Sequence, residues 1–392
     1  MPRSGSALKP RAHTFPDEGL FWYARLVTAT SAGNMFATTS DSAPGAGQRL
    51  ASIQALRALA ATSVVVFHTV MSLSPAWPPS VLAGAYVWGK AGVDLFFVIS
   101  GFIMVTTTAS NRGVGQFLRA RIARIVPLYW VLTLAMAAMV AFGASTTATF
   151  SPAHLAASLA FYPWLTATSV NPVLYVGWTL NYEAFFYAVF ALAMLAPRTW
   201  LMPILAAAFS LLALGSLAHP TTLQAQFYTD PITLEFVMGA AVGAVFRQGR
   251  TPSARTGALL LVAGLAAIAA TAPLNVVPEW RVVLWGLPST AIVAGAVAME
   301  RAGAWPRLGP AVLVGDASYA IYLSHAMMLP VLVRLAPHLV GRVPGDVLRL
   351  AMVGACLAGG VAIWRFVERP LSSQARALLK RLAPSREQAS TS

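Results

Sequence analysis

The sequence predicts an all-α fold: a polytopic bundle of about ten membrane-spanning helices, with both termini in the cytoplasm. Three observations predict it. Hydrophobic residues make up 57% of the 392 and charged residues 10%, with a mean hydropathy of +0.66, which suits a chain whose core solvent is lipid. Apolar runs of roughly membrane-spanning length recur along the chain, broken by short polar or Pro/Gly-rich stretches. Lys and Arg alternate between segments: with the N-terminus inside, twenty fall in cytoplasmic segments and five outside. That asymmetry is the positive-inside signature, so the net charge of +14 is mainly topological and no nucleic-acid partner is expected.

Residues 1–49 are rich in Ala, Ser, Thr, Gly and Pro, and their one apolar patch, residues 20–27, is too brief to span. They read as a disordered cytoplasmic tail without a secretory signal, with Met35 as an alternative start. The membrane domain follows over residues 50–370, with spans read at 53–72, 91–109, 125–143, 178–196, 200–217, 231–246, 256–272, 282–299, 312–333 and 346–367. Glu368-Arg369-Pro370 reads as an ordinary helix stop, and 371–392 as a short basic tail. Cys356, the single cysteine, lies in the last span and suits helix packing. Soluble-enzyme signatures such as a Walker A loop or G-x-S-x-G are missing, and the six histidines lack metal-ligand spacing, so no metal is expected.

Chemistry must then come from polar residues inside the spans. Arg57 and His68 lie in the first span, eleven residues apart. Helical geometry puts them only ~20° apart around the axis with ~16 Å of rise between them, so both line one stripe. Taken together they suggest a slot that grips an anion and performs proton chemistry further along. Taken singly, Arg57 can snorkel to the surface and His68 can bond between helices. Asp94, near the outer start of the second span, can meet His68 and fix its tautomer, or simply cap its helix. Gly92 and Gly101, in the same span, suit close helix contact.

Ahead of the third span, Arg112 precedes Arg119, Arg121 and Arg124. Arg121 and Arg124, three apart, are neighbours on a helix end that suits either phosphate or anionic lipid. The fourth span opens with Trp178-Thr179-Leu180-Asn181-Tyr182-Glu183, which places Glu183 about one turn in, at a depth comparable with Asp94, or else marks an interfacial aromatic belt. Phe161, Tyr162, Trp164, Asn171 and Tyr175 in the preceding loop suit either a sugar or interface anchoring. In the ninth span Ser318, Tyr322 and His325 share a face, as a polar stripe between helices or a substrate channel.

Five islands together resemble the membrane acyltransferase-3 family, which includes bacterial O-acetyltransferases of cell-surface glycans. They are residues 53–60 with the ten-residue gap to His68, residues 92–102, residues 121–127, Trp178 to Glu183, and Ser318 to His325 followed by Glu368-Arg369-Pro370. The opening Ile-Gln-Ala-Leu-Arg looks most like the exopolysaccharide-modifying branch. The resemblance implies a multi-pass enzyme of the bacterial cytoplasmic (inner) membrane that moves an acyl group, acetyl foremost, from acyl-CoA to a hydroxyl of a saccharide. The acceptor would be an exopolysaccharide, a lipid-linked intermediate or lipopolysaccharide. It also implies donor phosphates near Arg121, Arg124 and Arg57, with His68 as general base oriented by Asp94 or Glu183. Trp178, Ser318, Tyr322 and His325 are then candidates for binding substrate. A transporter or flippase of lipid-linked saccharides is the alternative that ten helices with midplane polar residues would also serve.

Overall fold

A computed structural model describes residues 49–73, 86–108, 113–142, 150–163, 171–271, 274, 278–339 and 342–382. The expected N-terminal tail before Arg49, Arg112 and Trp164 lie outside the described residues. Among the described residues every regular element is helical. The long helices are α1 (Ala51–Leu73), α2 (Ala91–Thr107), α3 (Val114–Ala141), α5 (Trp178–Ala193) and α6 (Leu201–Gly215). Then come α8 (Leu234–Arg247), α9 (Ala254–Ala270), α10 (Leu287–Arg301), α12 (Ser318–Leu335), α13 (Gly345–Ile363) and α14 (Arg369–Arg381). Short helices α4 (Pro152–Leu159), α7 (Leu223–Thr229) and α11 (Gly309–Asp316) connect them.

Each of the ten expected spans overlaps helical residues, the ninth overlapping two helices, and eight helical segments among the described residues are long and apolar enough to cross a membrane. The other two, α5 and α9, have 16 and 17 residues. For α5 the reason is visible in what precedes it. Val173, Leu174, Val176 and Gly177 are buried, with Tyr175 exposed among them, and a tight helical turn, Tyr175–Gly177, leads into α5, which therefore starts partway into the bundle. Backbone carbonyls at such depth need a partner. Here the Tyr322 hydroxyl donates to the Val176 carbonyl at 3.0 Å.

Three boundaries differ from the sequence reading. α3 begins eleven residues before the expected 125, because the helix runs on through Pro127 and carries the arginine cluster with it. The ninth span is broken at Ala317, between α11 and α12, where Asp316 pairs with Arg49. At the end of α13 the chain does not stop: a π-helical turn, Trp364–Glu368, leads into α14. Pro370 falls in the first turn of α14, where a missing N–H costs nothing, so it starts a helix rather than ending one.

α2 is central, packed against α1, α8 and α10. Its contact with α8 depends on two glycines. A Cβ on Gly101 would lie 1.9 Å from the Phe236 carbonyl oxygen, and one on Gly239 would lie 1.9 Å from that of Val98. Only glycine lets the two backbones approach this closely. Gly92 plays the same part toward α1, where a Cβ would stand 2.6 Å from the Ala60 oxygen. Phe97, Phe186 and Phe236 stack across α2, α5 and α8 with centroids 4.5 Å apart, fixing the helices that carry the polar residues.

Candidate active site

Two polar regions occupy the bundle, and Tyr322 belongs to both. The first is a cavity between α1, α2, α3, α5 and α12. Three guanidiniums line it, those of Arg57, Arg121 and Arg124, with one carboxylate, that of Glu183. Arg57 does not snorkel. It is 7% exposed, two turns into α1, and Nη1 donates to the Gln54 Oε1 at 3.1 Å. Arg121 and Arg124 project from the same side of α3, whose extension brings them beside the cavity. Arg121 lies over the Phe117 ring, 5.8 Å from its centroid, and its buried Nε has no protein partner. The Ser318 Oγ at the start of α12 is also buried and unpartnered. These two atoms therefore remain available to a bound molecule.

Glu183 accepts from the Ser100 hydroxyl at 2.9 Å and from the Tyr187 hydroxyl. Ser100 lies six residues beyond Asp94 on α2, so Glu183 sits about 9 Å deeper than the acid it was expected to accompany. The cause is the entry through residues 173–177, all buried but Tyr175, which starts α5 partway into the bundle. Glu183 is thus part of the arginine-lined cavity and does not orient His68. Trp178 also stands at the head of α5, edge-on to Phe97 with centroids 6.3 Å apart.

The second region surrounds His68. Along α1 it lies eleven residues beyond Arg57, and along α12 His325 lies seven beyond Ser318. The two imidazoles meet there, with His325 Nε2 3.1 Å from His68 Nδ1 and ring centroids 5.0 Å apart. His325 is fully buried and His68 partly so. Tyr175, the exposed residue in the turn before α5, stands edge-on to His68 at 5.7 Å. Tyr322 lines the cavity, and its ring is also 5.8 Å from that of His325. Its hydroxyl is held by the Val176 carbonyl and by Thr179 Oγ1, each at 3.0 Å. The tyrosine is therefore held where it touches both the arginine-lined cavity and the histidine pair.

Asp94 is not the partner of His68. It is fully buried, and its two oxygens accept from Arg281 Nε and Nη2 at 2.8 and 2.9 Å, a bidentate pair that commits the carboxylate elsewhere. Arg281 also lies within electrostatic reach of Glu235 and Asp230 and stacks over Trp285 at 5.3 Å. Asp230 accepts from the Ile232 N–H and the Tyr182 hydroxyl. Glu235, fully buried on α8, crowds Gly286 in a π-helical turn, Val282–Gly286. The sequence reading passed over this cluster, although carboxylates at 230 and 235 in an apolar run were the signal for it. Of the loop aromatics, Phe161 packs on Tyr129 at 4.7 Å and Tyr162 is exposed, while Asn171 offers its carbonyl to His154. No group of three or more metal-ligating side chains is found among the described residues.

A family model described as an acyltransferase domain matches residues 50–365. The exopolysaccharide production protein ExoZ of Rhizobium meliloti (strain 1021) is 34% identical over 294 residues, which cover 74% of this chain and 91% of that protein. The acyltransferase MdmB of Streptomyces mycarofaciens is 26% identical over 370 residues, covering 82% of this chain and 91% of its own length. No solved structure matches.

Proposed function

The chain belongs to the membrane acyltransferase-3 family, and on that premise we propose that it transfers an acyl group, acetyl foremost, from acyl-CoA to a hydroxyl of an exported or surface polysaccharide. It is a multi-pass membrane acyltransferase; the donor, the acceptor, the orientation and the bacterial inner membrane as its location belong to the proposal. The observation that carries the reading is the cavity lined by Arg57, Arg121 and Arg124, whose Tyr322 also contacts His325, the neighbour of His68. Three guanidiniums match the phosphates of a nucleotide-bearing donor, with forked N–H groups suited to phosphate oxygens. The positive-inside count supports an orientation with these arginines toward the cytoplasm, where acyl-CoA is made. The rise of ~16 Å between Arg57 and His68 suits a thin pantetheine arm.

In the reaction the His68 imidazole removes the proton of the acceptor hydroxyl as its oxygen attacks the thioester carbonyl. The C–S bond breaks, and the departing thiolate takes the proton back from the imidazolium, giving an ester, free CoA and neutral histidine. No acyl-enzyme is needed. Similarity to the exopolysaccharide production protein ExoZ supports a polysaccharide acceptor, with a lipid-linked intermediate or lipopolysaccharide as variants of the same chemistry. Membranes containing His68→Ala at wild-type protein level are expected to leave the polysaccharide without base-labile acyl ester by NMR. Wild-type ester content would overturn the base assignment. Purified Arg121→Gln/Arg124→Gln is expected to bind acetyl-CoA at least tenfold more weakly, and unchanged affinity would overturn the donor site.

A further inference from the structure

We infer that His325 is the positioning residue of the proposed base: it fixes His68 as the Nδ1–H tautomer and leaves His68 Nε2 as the atom that takes the acceptor's proton. The inference rests on the reading of His68 as base. It follows from what each neighbour can do in a hydrogen bond. His325 Nδ1 lies 3.2 Å from the Ile321 carbonyl oxygen, four residues back on α12. A carbonyl only accepts, so this nitrogen carries the hydrogen. Neutral His325 then has a lone pair on Nε2, and that lone pair faces His68 Nδ1 at 3.1 Å. Two lone pairs do not face each other across such a distance, so His68 Nδ1 carries a hydrogen as well. Its other neighbour agrees, because the Val64 oxygen, 3.1 Å away, can also only accept.

The chain of donors therefore runs from His68 Nδ1 to His325 Nε2 and from His325 Nδ1 to Ile321. The chain begins on α1 and ends on a backbone carbonyl of α12, so the register of the two helices sets the direction. When His68 Nε2 gains a proton, its Nδ1–H still donates to His325, and the bond becomes charge-assisted. When His68 gives the proton up, nothing has to rotate. Burial keeps His325 in this role: it is 0% exposed and packed against Tyr322. In serine-hydrolase triads an aspartate plays this part for a histidine. Here a second imidazole does so, while Asp94 is occupied by Arg281.

The test is steady-state transfer with detergent-purified His325→Leu, His325→Gln and His68→Ala, with acetyl-CoA as donor and a polysaccharide fragment as acceptor. His325→Leu is expected to lower kcat about 10- to 100-fold with KM for both substrates unchanged, less than the loss in a triad because Val64 still supports the tautomer. His325→Gln can offer an amide oxygen where Nε2 stood and is expected to recover kcat to within about threefold of wild type. A wild-type kcat in His325→Leu, or equal losses in the Leu and Gln variants, would overturn the assignment while His68→Ala remains inactive. An active His68→Ala would instead overturn the base reading beneath it. Should the Leu variant fail to fold, a Gln variant with kcat reduced tenfold or more overturns the role.

Discussion

Asp94 and Arg281 are 187 positions apart in sequence and joined by two hydrogen bonds in the bundle, and removing either partner separates a structural role from a catalytic one. Losing one member of a buried ion pair costs about 3–5 kcal/mol, because the charge left behind is desolvated and unmatched. The two members are not equivalent here. Asp94 is fully buried and the Arg281 side chain is 22% exposed. Arg281→Gln leaves the Asp94 carboxylate in the bundle with Glu235 and Asp230 nearby and should fall at the upper end, about 4–5 kcal/mol. Asp94→Asn leaves a cation that still has Glu235 and Asp230 within reach and some access to water. About 1–3 kcal/mol is expected for that variant. The double variant Asp94→Asn/Arg281→Gln should recover about 1–3 kcal/mol relative to the sum of the singles. Reversible unfolding in mixed micelles at neutral pH, followed by tryptophan fluorescence, measures all four proteins. Strict additivity, or a greater loss in Asp94→Asn than in Arg281→Gln, would refute the ion-pair argument. Full stability in Asp94→Asn with a collapse of kcat would return Asp94 to the side of His68.

Other perturbations probe the packing and the cavity. Gly101→Val forces a side chain onto the Phe236 carbonyl and should abolish monodisperse protein in size-exclusion chromatography, whereas a well-behaved variant would contradict the close α2–α8 contact. Tyr322→Phe removes the bonds to Val176 and Thr179, at about 0.5–1.5 kcal/mol each, and opens the wall beside the cavity. Release of free CoA without acceptor is expected to rise several-fold, and tight coupling in the variant would show that the hydroxyl does not close the passage. Glu183→Gln removes the one carboxylate lining a cavity that holds three guanidiniums, so acetyl-CoA should bind about 3- to 10-fold more tightly in a displacement assay. Weaker binding would mean that Glu183 orders Arg121 rather than offsetting its charge.

What the sequence made legible were the relations set by one helix. Arg57 and His68 fall on one stripe because eleven steps nearly complete three turns, and the structure turns both toward α12. Arg121 and Arg124 are neighbours for the same reason, and Gly92 and Gly101 mark close backbone contacts that a side chain would block. Relations between helices were not legible. The bond from His68 to His325 spans 257 positions, and no local period reports it. Depth was misjudged where irregular backbone enters the bundle: residues 173–177 look like a loop by composition, but the burial of all but Tyr175 moves Glu183 from the level of Asp94 to that of Ser100. Pro370 was ambiguous because proline after charged residues ends helices and proline in a first turn begins them. Only the π-turn before it decides which.

These corrections also change how charge is distributed through the bundle. With Glu183 moved to the level of Ser100, the cavity holds three guanidiniums and one carboxylate. With Asp94 joined to Arg281, the region around it holds three carboxylates and one guanidinium. The two regions are about 9 Å apart along α2. On the proposed orientation, an anionic donor approaching from the cytoplasm meets the guanidiniums first and is drawn to them. Its thioester arm is neutral and is not held there. The phosphates are then arrested at the arginines while the acyl group advances toward His68.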